Sequence, residues 1–363
     1  MTNDIQPKPG ILEISPYIGG ASEISGVTKV HKLSSNENPL GPSPKAVAAF
    51  KDVSAALERY PSSDHWDLRT AIGEVYGVDP DQVICGDGSD EVISWLCYAY
   101  AGAGDEVLYT EHGFSMYRIC ALAAGATPVV APETDRRVDV TKLLAACTDR
   151  TRLVFIANPA NPTGTMLTDD ELATLADDLP KRALLVLDGA YAEFVDGYDG
   201  GRGLIEHRNN VMMTRTFSKI YGLGGLRVGW GYGPAEIIGV LNRLRGPFNV
   251  TSASLAAAEA AVRDQEHMAH CQSENRKWRA WLRETLDELG IASDEAHGNF
   301  LLARFNSIQA ADNADEFLKK SGIIVRKVAG YGLPECLRIT VGKEESNRLL
   351  IAQLSRFMES QSK

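Results

Sequence analysis

Short apolar runs alternate with amphipathic stretches through the middle of the chain. The apolar runs cover residues 83–85, 106–109, 128–130, 152–156, 183–187, 211–214 and 228–231. Runs this short, bounded by turn residues, are typical of buried strands, while stretches such as 169–179 and 234–244 carry the period of an amphipathic helix. Regular alternation of strand and helix predicts an α/β fold, with a mostly parallel sheet of about seven strands and helices on both faces.

The pattern changes after Gln265. A long helical stretch at 266–289 precedes short elements at 300–305, 315–320, 323–328, 337–341 and 344–358. This order predicts a smaller α+β domain at the carboxyl end. Three prolines before Tyr17 favour an irregular amino-terminal arm. We therefore expect an arm at 1–30, a large domain at 31–265 and a small domain at 266–363.

Composition narrows the function. The chain has 363 residues, is 44% hydrophobic and carries a net charge of -11. Excess negative charge disfavours nucleic acid and anionic membranes as partners, so a small-molecule enzyme is favoured. The sequence has no apolar run of membrane-spanning length and no signal-like amino terminus, which makes the cytoplasm the expected location. Six scattered cysteines without a paired spacing indicate neither a disulfide framework nor a metal site.

A single lysine stands among phosphate-binding residue types in the segment 214–227. Lys219 follows Thr216 and Ser218 and precedes Arg227 by eight positions. A lysine amine can condense with an aldehyde, hydroxyl groups donate hydrogen bonds, and a guanidinium grips a phosphate dianion with two of them. The alternative is a strand that enters a glycine-rich loop with an exposed lysine. The pattern indicates an aldehyde cofactor that carries a phosphate, such as pyridoxal phosphate.

Two other apolar strands end in polar residues. Asp188 ends one of them, and a buried carboxylate there requires a cationic or hydrogen-bonding partner, such as a pyridinium N–H. The other strand leads into the turn 158–164, which contains Asn161. Tyr191 follows the strand that ends at Asp188. Asn161 and Tyr191 are candidate donors to the phenolic oxygen of the cofactor. A helix cap and an ordinary turn explain either segment alone. Three such segments together favour the cofactor site.

The chain resembles the fold-type-I pyridoxal-phosphate aminotransferases, and among them the histidinol-phosphate aminotransferases. The resemblance rests on segments in family order across most of the chain, at 34–42, 59–61, 86–91, 158–164, 188–194, 214–227 and 336–342. It implies pyridoxal phosphate as cofactor, Lys219 as the residue that carries it and then moves the substrate proton, and Asp188 and Tyr191 as further catalytic residues. It also implies a homodimer that acts on small amines and 2-oxo acids.

Further site residues follow from the same resemblance. For the cofactor these are Gly88, Ser89, Asp90, Phe114, Asn161, Thr216, Ser218, Arg227 and, from the neighbouring subunit, Tyr60. For the substrate they are Tyr17, Asn36, Arg326 and Arg338. Two positions depart from the family pattern. Phe114 stands where many relatives have tyrosine, so it keeps ring stacking and loses the hydroxyl, and Gly189 stands where a bulkier residue is common.

The resemblance implies the conversion of histidinol phosphate and 2-oxoglutarate to imidazole acetol phosphate and glutamate. An aromatic amino acid aminotransferase and a decarboxylase of a phosphorylated amino acid are alternatives, because each would use Lys219 and Asp188. A non-catalytic carrier of the cofactor is disfavoured, since it would have no need for arginines that grip a substrate. Substrate choice among these classes depends on the bound pose, which the sequence alone leaves open.

Overall fold

The computed structural model describes residues 5–16, 19, 21–26 and 29–361. The strands are β1 (His31–Lys32), β2 (Val83–Gly86), β3 (Glu106–Thr110), β4 (Thr127–Ala131), β5 (Thr151–Ala157), β6 (Leu184–Asp188), β7 (Val211–Thr216), β8 (Gly229–Tyr232), β9 (Ala292–Ser293), β10 (Phe300–Arg304), β11 (Ile323–Ile324), β12 (Arg326–Val328) and β13 (Leu333–Thr340). The helices are α1 (Pro44–Val53), α2 (Trp66–Tyr76), α3 (Ser89–Tyr100), α4 (Ser115–Ala124), α5 (Val140–Ala145), α6 (Asp169–Asp178), α7 (Arg202–Ile205), α8 (Ala235–Leu244), α9 (Ser252–Arg263), α10 (Gln265–Glu288), α11 (Ile308–Lys320) and α12 (Glu344–Gln361).

The largest sheet has seven strands in the order β2-β8-β7-β6-β5-β3-β4. Only β8 runs against its neighbours, since it is antiparallel to both β2 and β7. Every residue of β6 is buried, because separate apolar clusters pack on the two faces of the sheet. The α/β fold with a mostly parallel seven-stranded sheet is therefore confirmed.

Local sequence chemistry explains where individual helices begin. Thr168 and Glu171 form a reciprocal capping box at the start of α6, and acidic residues occupy its first turn. Such carboxylates favour the positive end of the helix dipole. At α1, the Ser43 side chain accepts a hydrogen bond from the Lys45 backbone nitrogen, and Pro44 occupies the first helical position.

The carboxyl-terminal third of the chain contains a second core. The sheet β12-β13-β10-β9 is antiparallel, and an apolar cluster that includes Leu301, Leu337 and Leu350 packs on it. Helix α10 joins the two cores, because Cys271 packs in the large one and Leu282 in the small one. The described chain thus has a core in each part, joined by α10, and the expected division into domains stays a prediction.

Three details differ from the sequence-based expectations. The expected strand at 323–328 is divided, since β11 pairs in parallel with β1 while β12 pairs with β13. Thus β1, from the segment assigned to the large domain, joins the small one, and Leu33 packs in its core. The sequence pattern predicts a helix at 91–100, whereas α3 begins at Ser89. Short-range patterns miss these features because tertiary pairing decides them.

The family resemblance implies an arm that lies near the small domain or a partner subunit. Its described residues contact both domains: a 3₁₀ turn at Ile11–Glu13 contacts α4 of the large domain, where the Arg118 side chain donates to the Glu13 carbonyl, and Lys29 forms an ion pair with Glu345 of α12 in the small domain. No helix in the described ranges combines the length and apolar character that crossing a bilayer requires.

His65 precedes α2 and is buried, with a left-handed backbone φ of 56°. Burial, aided by the charges of Arg245 and Arg69, lowers its pKa from 6.5 to about 4. In the unfolded chain His65 therefore binds a proton below about pH 6.5, whereas in the folded chain it binds one only below about pH 4. This difference makes the folded state less stable as the pH falls through that window.

We predict that His65→Asn removes this component of the acid sensitivity, because asparagine tolerates left-handed backbone and does not titrate. Between pH 7 and pH 5 the wild type should lose about 2 kcal/mol more unfolding free energy than the variant. Denaturant titrations at both pH values measure this, with the exposed His207→Asn as control. An equal loss in wild type and His65→Asn would contradict the assignment.

Candidate active site

A pocket lies where the parallel strands of the large sheet end. Parallel strands share one edge for their carboxyl ends, so the loops that follow them meet there. The pocket combines every cofactor residue expected from the sequence except Gly88 and Tyr60. Its lining residues are Ser89, Asp90, Phe114, Ala157, Pro159, Asn161, Asp188, Ala190, Tyr191, Thr216, Ser218, Lys219 and Arg227.

One end of the pocket is suited to an anion. Helix α3 points its amino terminus there, and Arg227 lies beside it, 3.5 Å from the Asp90 carboxylate and 3.2 Å from the Ser218 hydroxyl. Burial raises the pKa of Asp90, while Arg227 and Lys219 act to lower it. Backbone N–H groups at a helix start together with a guanidinium provide the donors that a phosphate needs.

Glycines allow the backbone to close around this end. Gly88 has a left-handed φ of 80°, and a Cβ there would lie 2.5 Å from an Arg227 nitrogen. A Cβ on Gly229 would lie 2.1 Å from the backbone nitrogen of Ser89. Side chains at either position would therefore push apart strand β8, the start of α3 and the arginine.

Asp188 lies within the pocket as a buried acid, 4% exposed. The Tyr117 hydroxyl donates to its Oδ2 at 2.7 Å, and the Thr214 hydroxyl donates to its Oδ1 at 3.2 Å. In the described part of the chain its close partners are neutral donors, and burial raises its pKa. A buried carboxylate with neutral partners is suited to a cationic N–H from a bound group.

Lys219 lies in the loop after β7, with its Nζ 5.7 Å from the centre of the Tyr191 ring. The loop is fixed by a hydrogen bond from the Leu223 nitrogen to the Phe217 carbonyl. It also packs closely on the segment before α1, because a Cβ on Gly222 would lie 2.6 Å from the Gly41 carbonyl carbon. The amine is thereby held at the pocket.

An arginine from the small sheet contacts one of the pocket-lining residues. Arg338 of β13 donates from Nη1 to the Asn161 side-chain oxygen at 2.5 Å and from Nη2 to the Ser34 carbonyl at 2.8 Å. Arg326 stands directly opposite Arg338 across the β12-β13 pairing. The two arginines expected to bind substrate are therefore neighbours, and Arg338 is joined to the pocket through Asn161, although neither arginine is among the lining residues.

Asn36 takes part through other residues. It is 1% exposed, and its side-chain nitrogen donates to the Tyr191 hydroxyl at 2.9 Å. Its side-chain oxygen accepts from the Thr340 hydroxyl at 3.0 Å. Asn36 was expected to bind substrate; here it links Tyr191 to strand β13 and is not among the pocket-lining residues.

Tyr60 lies away from the pocket of this chain. Tyr60 is 82% exposed and stacks on Phe248 with ring centres 4.7 Å apart. Its expected contact is with a neighbouring subunit, so its role stays a prediction. Tyr17 lies outside the described residues.

The sequence did not reveal the two hydroxyl groups, of Tyr117 and Thr214, that donate hydrogen bonds to Asp188. Tyr117 follows Phe114 by three positions at the start of α4, so the two share a helix face, and their rings meet edge to face at 5.8 Å. That spacing was the available signal. Thr214 alternates with Thr216 along β7, which places both on one face of the strand.

The departure at Gly189 has a structural explanation. Arg215 points to the opposite face of β7 and forms a buried ion pair with Glu193 at 3.0 Å. A Cβ on Gly189 would lie 3.1 Å from Cδ of Arg215, and one on Gly200 would lie 2.0 Å from its Nη2. The space that a larger residue would take is therefore filled by Arg215.

Comparison with known proteins decides the family. The family model described as "Aminotransferase class I and II" matches residues 28–354 of the chain. The chain belongs to this family. Histidinol-phosphate aminotransferases from Ruegeria sp. and Dinoroseobacter shibae are 61% and 62% identical to the chain over 353 residues, which is 97% of it and 98% of each relative.

The chain superposes with a TM-score of 0.91 on a solved structure of a histidinol-phosphate aminotransferase from Sinorhizobium meliloti, which is in complex with pyridoxal-5'-phosphate. It has 26% sequence identity, and the match covers 99% of both chains. The aminotransferase fold thus extends over the whole chain.

We predict that Gly189→Val destabilises the protein, since its side chain must displace Arg215 from a close-packed position. Overpacking of this kind costs about 1–3 kcal/mol. Gly102→Val is the matched control, because a Cβ on Gly102 meets nothing within 4 Å. Urea unfolding of both variants gives the comparison, and equal losses would show that Arg215 does not restrict position 189.

Proposed function

We propose that this chain is a pyridoxal-phosphate-dependent aminotransferase that converts L-histidinol phosphate and 2-oxoglutarate to imidazole acetol phosphate and glutamate in histidine biosynthesis. The observation that carries the proposal is the pocket in which Lys219 lies between an anion-binding end and the buried Asp188 carboxylate. The substrate assignment is supported by relatives named histidinol-phosphate aminotransferase, which are about 60% identical to the chain over almost its entire length.

The residues present fit pyridoxal phosphate. Ser89, Thr216, Ser218 and Arg227 would bind its phosphate, and Phe114 would stack on its ring. Asp188 would accept a hydrogen bond from the ring N–H, which gives this carboxylate the cationic partner it requires. When bound, the cofactor supplies an electron-accepting ring that stabilises negative charge on the substrate carbon.

Existing hydrogen bonds favour Asn161 and Tyr191 as donors to the phenolic oxygen. The side-chain oxygen of Asn161 accepts from Arg338, so its NH₂ group is the part left to donate to a ligand. Tyr191 accepts from Asn36, so its own O–H proton is directed elsewhere. Both residues line the pocket, and both would therefore present donors to the same cofactor atom.

Lys219 would act as general base and general acid. Its Nζ would take the proton from the substrate carbon as a base and would then deliver that proton as an acid. The Tyr191 ring beside Nζ and the fixed loop limit where the amine can lie. This restriction would hold the base close to the reacting carbon.

Arg338 and Arg326 would grip the anionic group of the substrate, with Tyr17 as a further contact. A phosphate dianion has enough oxygens for two guanidinium groups, whereas an amino acid carboxylate is satisfied by one. Their opposed positions on β12 and β13 suit the larger anion. This favours histidinol phosphate over an aromatic amino acid.

The direct test mixes the purified protein, loaded with pyridoxal phosphate, with histidinol phosphate in the absence of a keto acid. Conversion of the visible spectrum to the pyridoxamine form, reversed by 2-oxoglutarate, is expected. Release of carbon dioxide from a phosphorylated amino acid would identify a decarboxylase. Faster conversion with phenylalanine than with histidinol phosphate would identify an aromatic aminotransferase.

We predict that Arg326→Ala lowers kcat/KM for histidinol phosphate by about 10–100-fold, since one charged hydrogen-bonding group to phosphate is lost. The value of kcat/KM for phenylalanine should fall much less, because phenylalanine has no phosphate for Arg326 to bind. Steady-state kinetics with both substrates give the ratio of the two losses. The exposed Lys327→Ala on the same strand is the control. Equal losses for both substrates would refute the phosphate role of Arg326.

We also propose that the active unit is a homodimer in the cytoplasm, with domains at 1–30, 31–265 and 266–363. Support for the dimer comes from large exposed apolar side chains at 50–66 and from Phe248, which stacks on Tyr60, because such side chains are costly to leave in water. They include Phe50, Leu57, Tyr60, Trp66 and Phe248.

If Tyr60 reaches the partner's cofactor phosphate, two defective variants should complement each other. We predict that Lys219→Ala co-expressed with Tyr60→Phe regains activity, because a mixed dimer contains one site with both native residues. Lys219→Ala co-expressed with Asp188→Ala is the control, because both residues line the pocket of one chain and a mixed dimer then contains no site with both native residues. A fully active monomer in sedimentation, with no gain on mixing, would refute the shared site.

A further inference from the structure

We propose that Tyr117 is a positioning residue that keeps Asp188 in its carboxylate form. The proposal rests on the function proposed above, since the charge of Asp188 matters most when the cofactor ring is beside it. Tyr117 belongs to α4 and Asp188 to β6, so the contact joins a helix to the central sheet.

The geometry favours donation by the tyrosine. Its hydroxyl is 2.7 Å from Oδ2 of Asp188, and the side chain is 1% exposed. Its ring stacks on Phe155 at 4.8 Å and meets Phe114 edge to face, so the hydroxyl has little freedom to turn away. Burial and the neighbouring carboxylate raise the pKa of Tyr117 well above 10, which keeps it a donor.

The other groups that face Asp188 divide into two sets. The Thr214 hydroxyl from β7 and the backbone N–H of Ala190 favour the charged form. Burial and the charge of Asp90 from α3 favour the protonated form, and together they raise the pKa. Tyr117 is the strongest of the groups that oppose this rise, so its loss should raise the pKa of Asp188 further.

The consequence concerns one proton. With the cofactor bound, Asp188 and the ring nitrogen share it, and only a proton on nitrogen gives the ring its full capacity to accept electrons. A carboxylate that already accepts hydrogen bonds from Tyr117 and Thr214 is a weaker base, and so leaves the proton on the nitrogen. Removing a donor moves the proton toward Asp188.

The test begins with the full-length protein freed of cofactor and labelled with ¹³C at the aspartate carboxyl carbons. The Asp188 resonance is identified by its loss in Asp188→Asn, and its titration is followed by NMR. Tyr117→Phe should raise the pKa of Asp188 by about one to two pH units, which is the effect of one charged hydrogen bond. Tyr109→Phe is the matched control, since Tyr109 lies against the Tyr117 ring and its hydroxyl is not bonded to Asp188.

A second measurement uses the loaded enzyme with ¹⁵N at the ring nitrogen of pyridoxal phosphate. In Tyr117→Phe the nitrogen resonance should move toward the unprotonated position, and Tyr109→Phe should match the wild type. Identical Asp188 titrations in the two variants would overturn the role of Tyr117, whatever the ring nitrogen does. Failure of the wild type to take up the cofactor would overturn the proposed function, and the first measurement would still decide what Tyr117 does to Asp188.

Discussion

The burial of one carboxylate constrains the rest of the site. Asp188 ends an entirely buried strand, where its charge is poorly solvated, and among the described residues it accepts hydrogen bonds from the neutral hydroxyl groups of Tyr117 and Thr214. Such a group either takes up a proton or acquires a cationic partner. The anion-binding residues and Lys219 line the same pocket, so a single ligand with a cationic ring and a phosphate would satisfy both ends.

A second constraint lies on the other face of the same strands. Arg215 and Glu193 form an ion pair that is almost completely excluded from solvent, and the Tyr76 hydroxyl donates to the same Glu193 oxygen at 3.0 Å. Tyr76 also contacts the hydroxyl of Tyr221, two residues after Lys219. Removing one partner of a buried pair costs about 3–5 kcal/mol. The pair therefore fixes the backbone that carries the lysine loop.

The sequence predicts most of this fold because alternating strands and helices are local patterns. Each of the seven sheet strands, and Lys219, Asp188 and Asn161 at their ends, was identified from short segments. Long-range contacts were missed. The pairing of β1 with β11 and the Tyr117 hydroxyl on Asp188 join residues far apart in the chain, which no local period records. The role of Tyr60 depends on a second subunit, so neither the sequence pattern nor a single chain decides it.

The central claim is that Lys219 and Asp188 serve one cofactor in one pocket. The most direct measurement is to load the protein with pyridoxal phosphate, reduce it with borohydride, digest it and find the modified peptide by mass spectrometry. The account predicts one pyridoxyl group per chain, attached to Lys219. Modification of a different lysine, with Lys219 recovered unmodified, would contradict it.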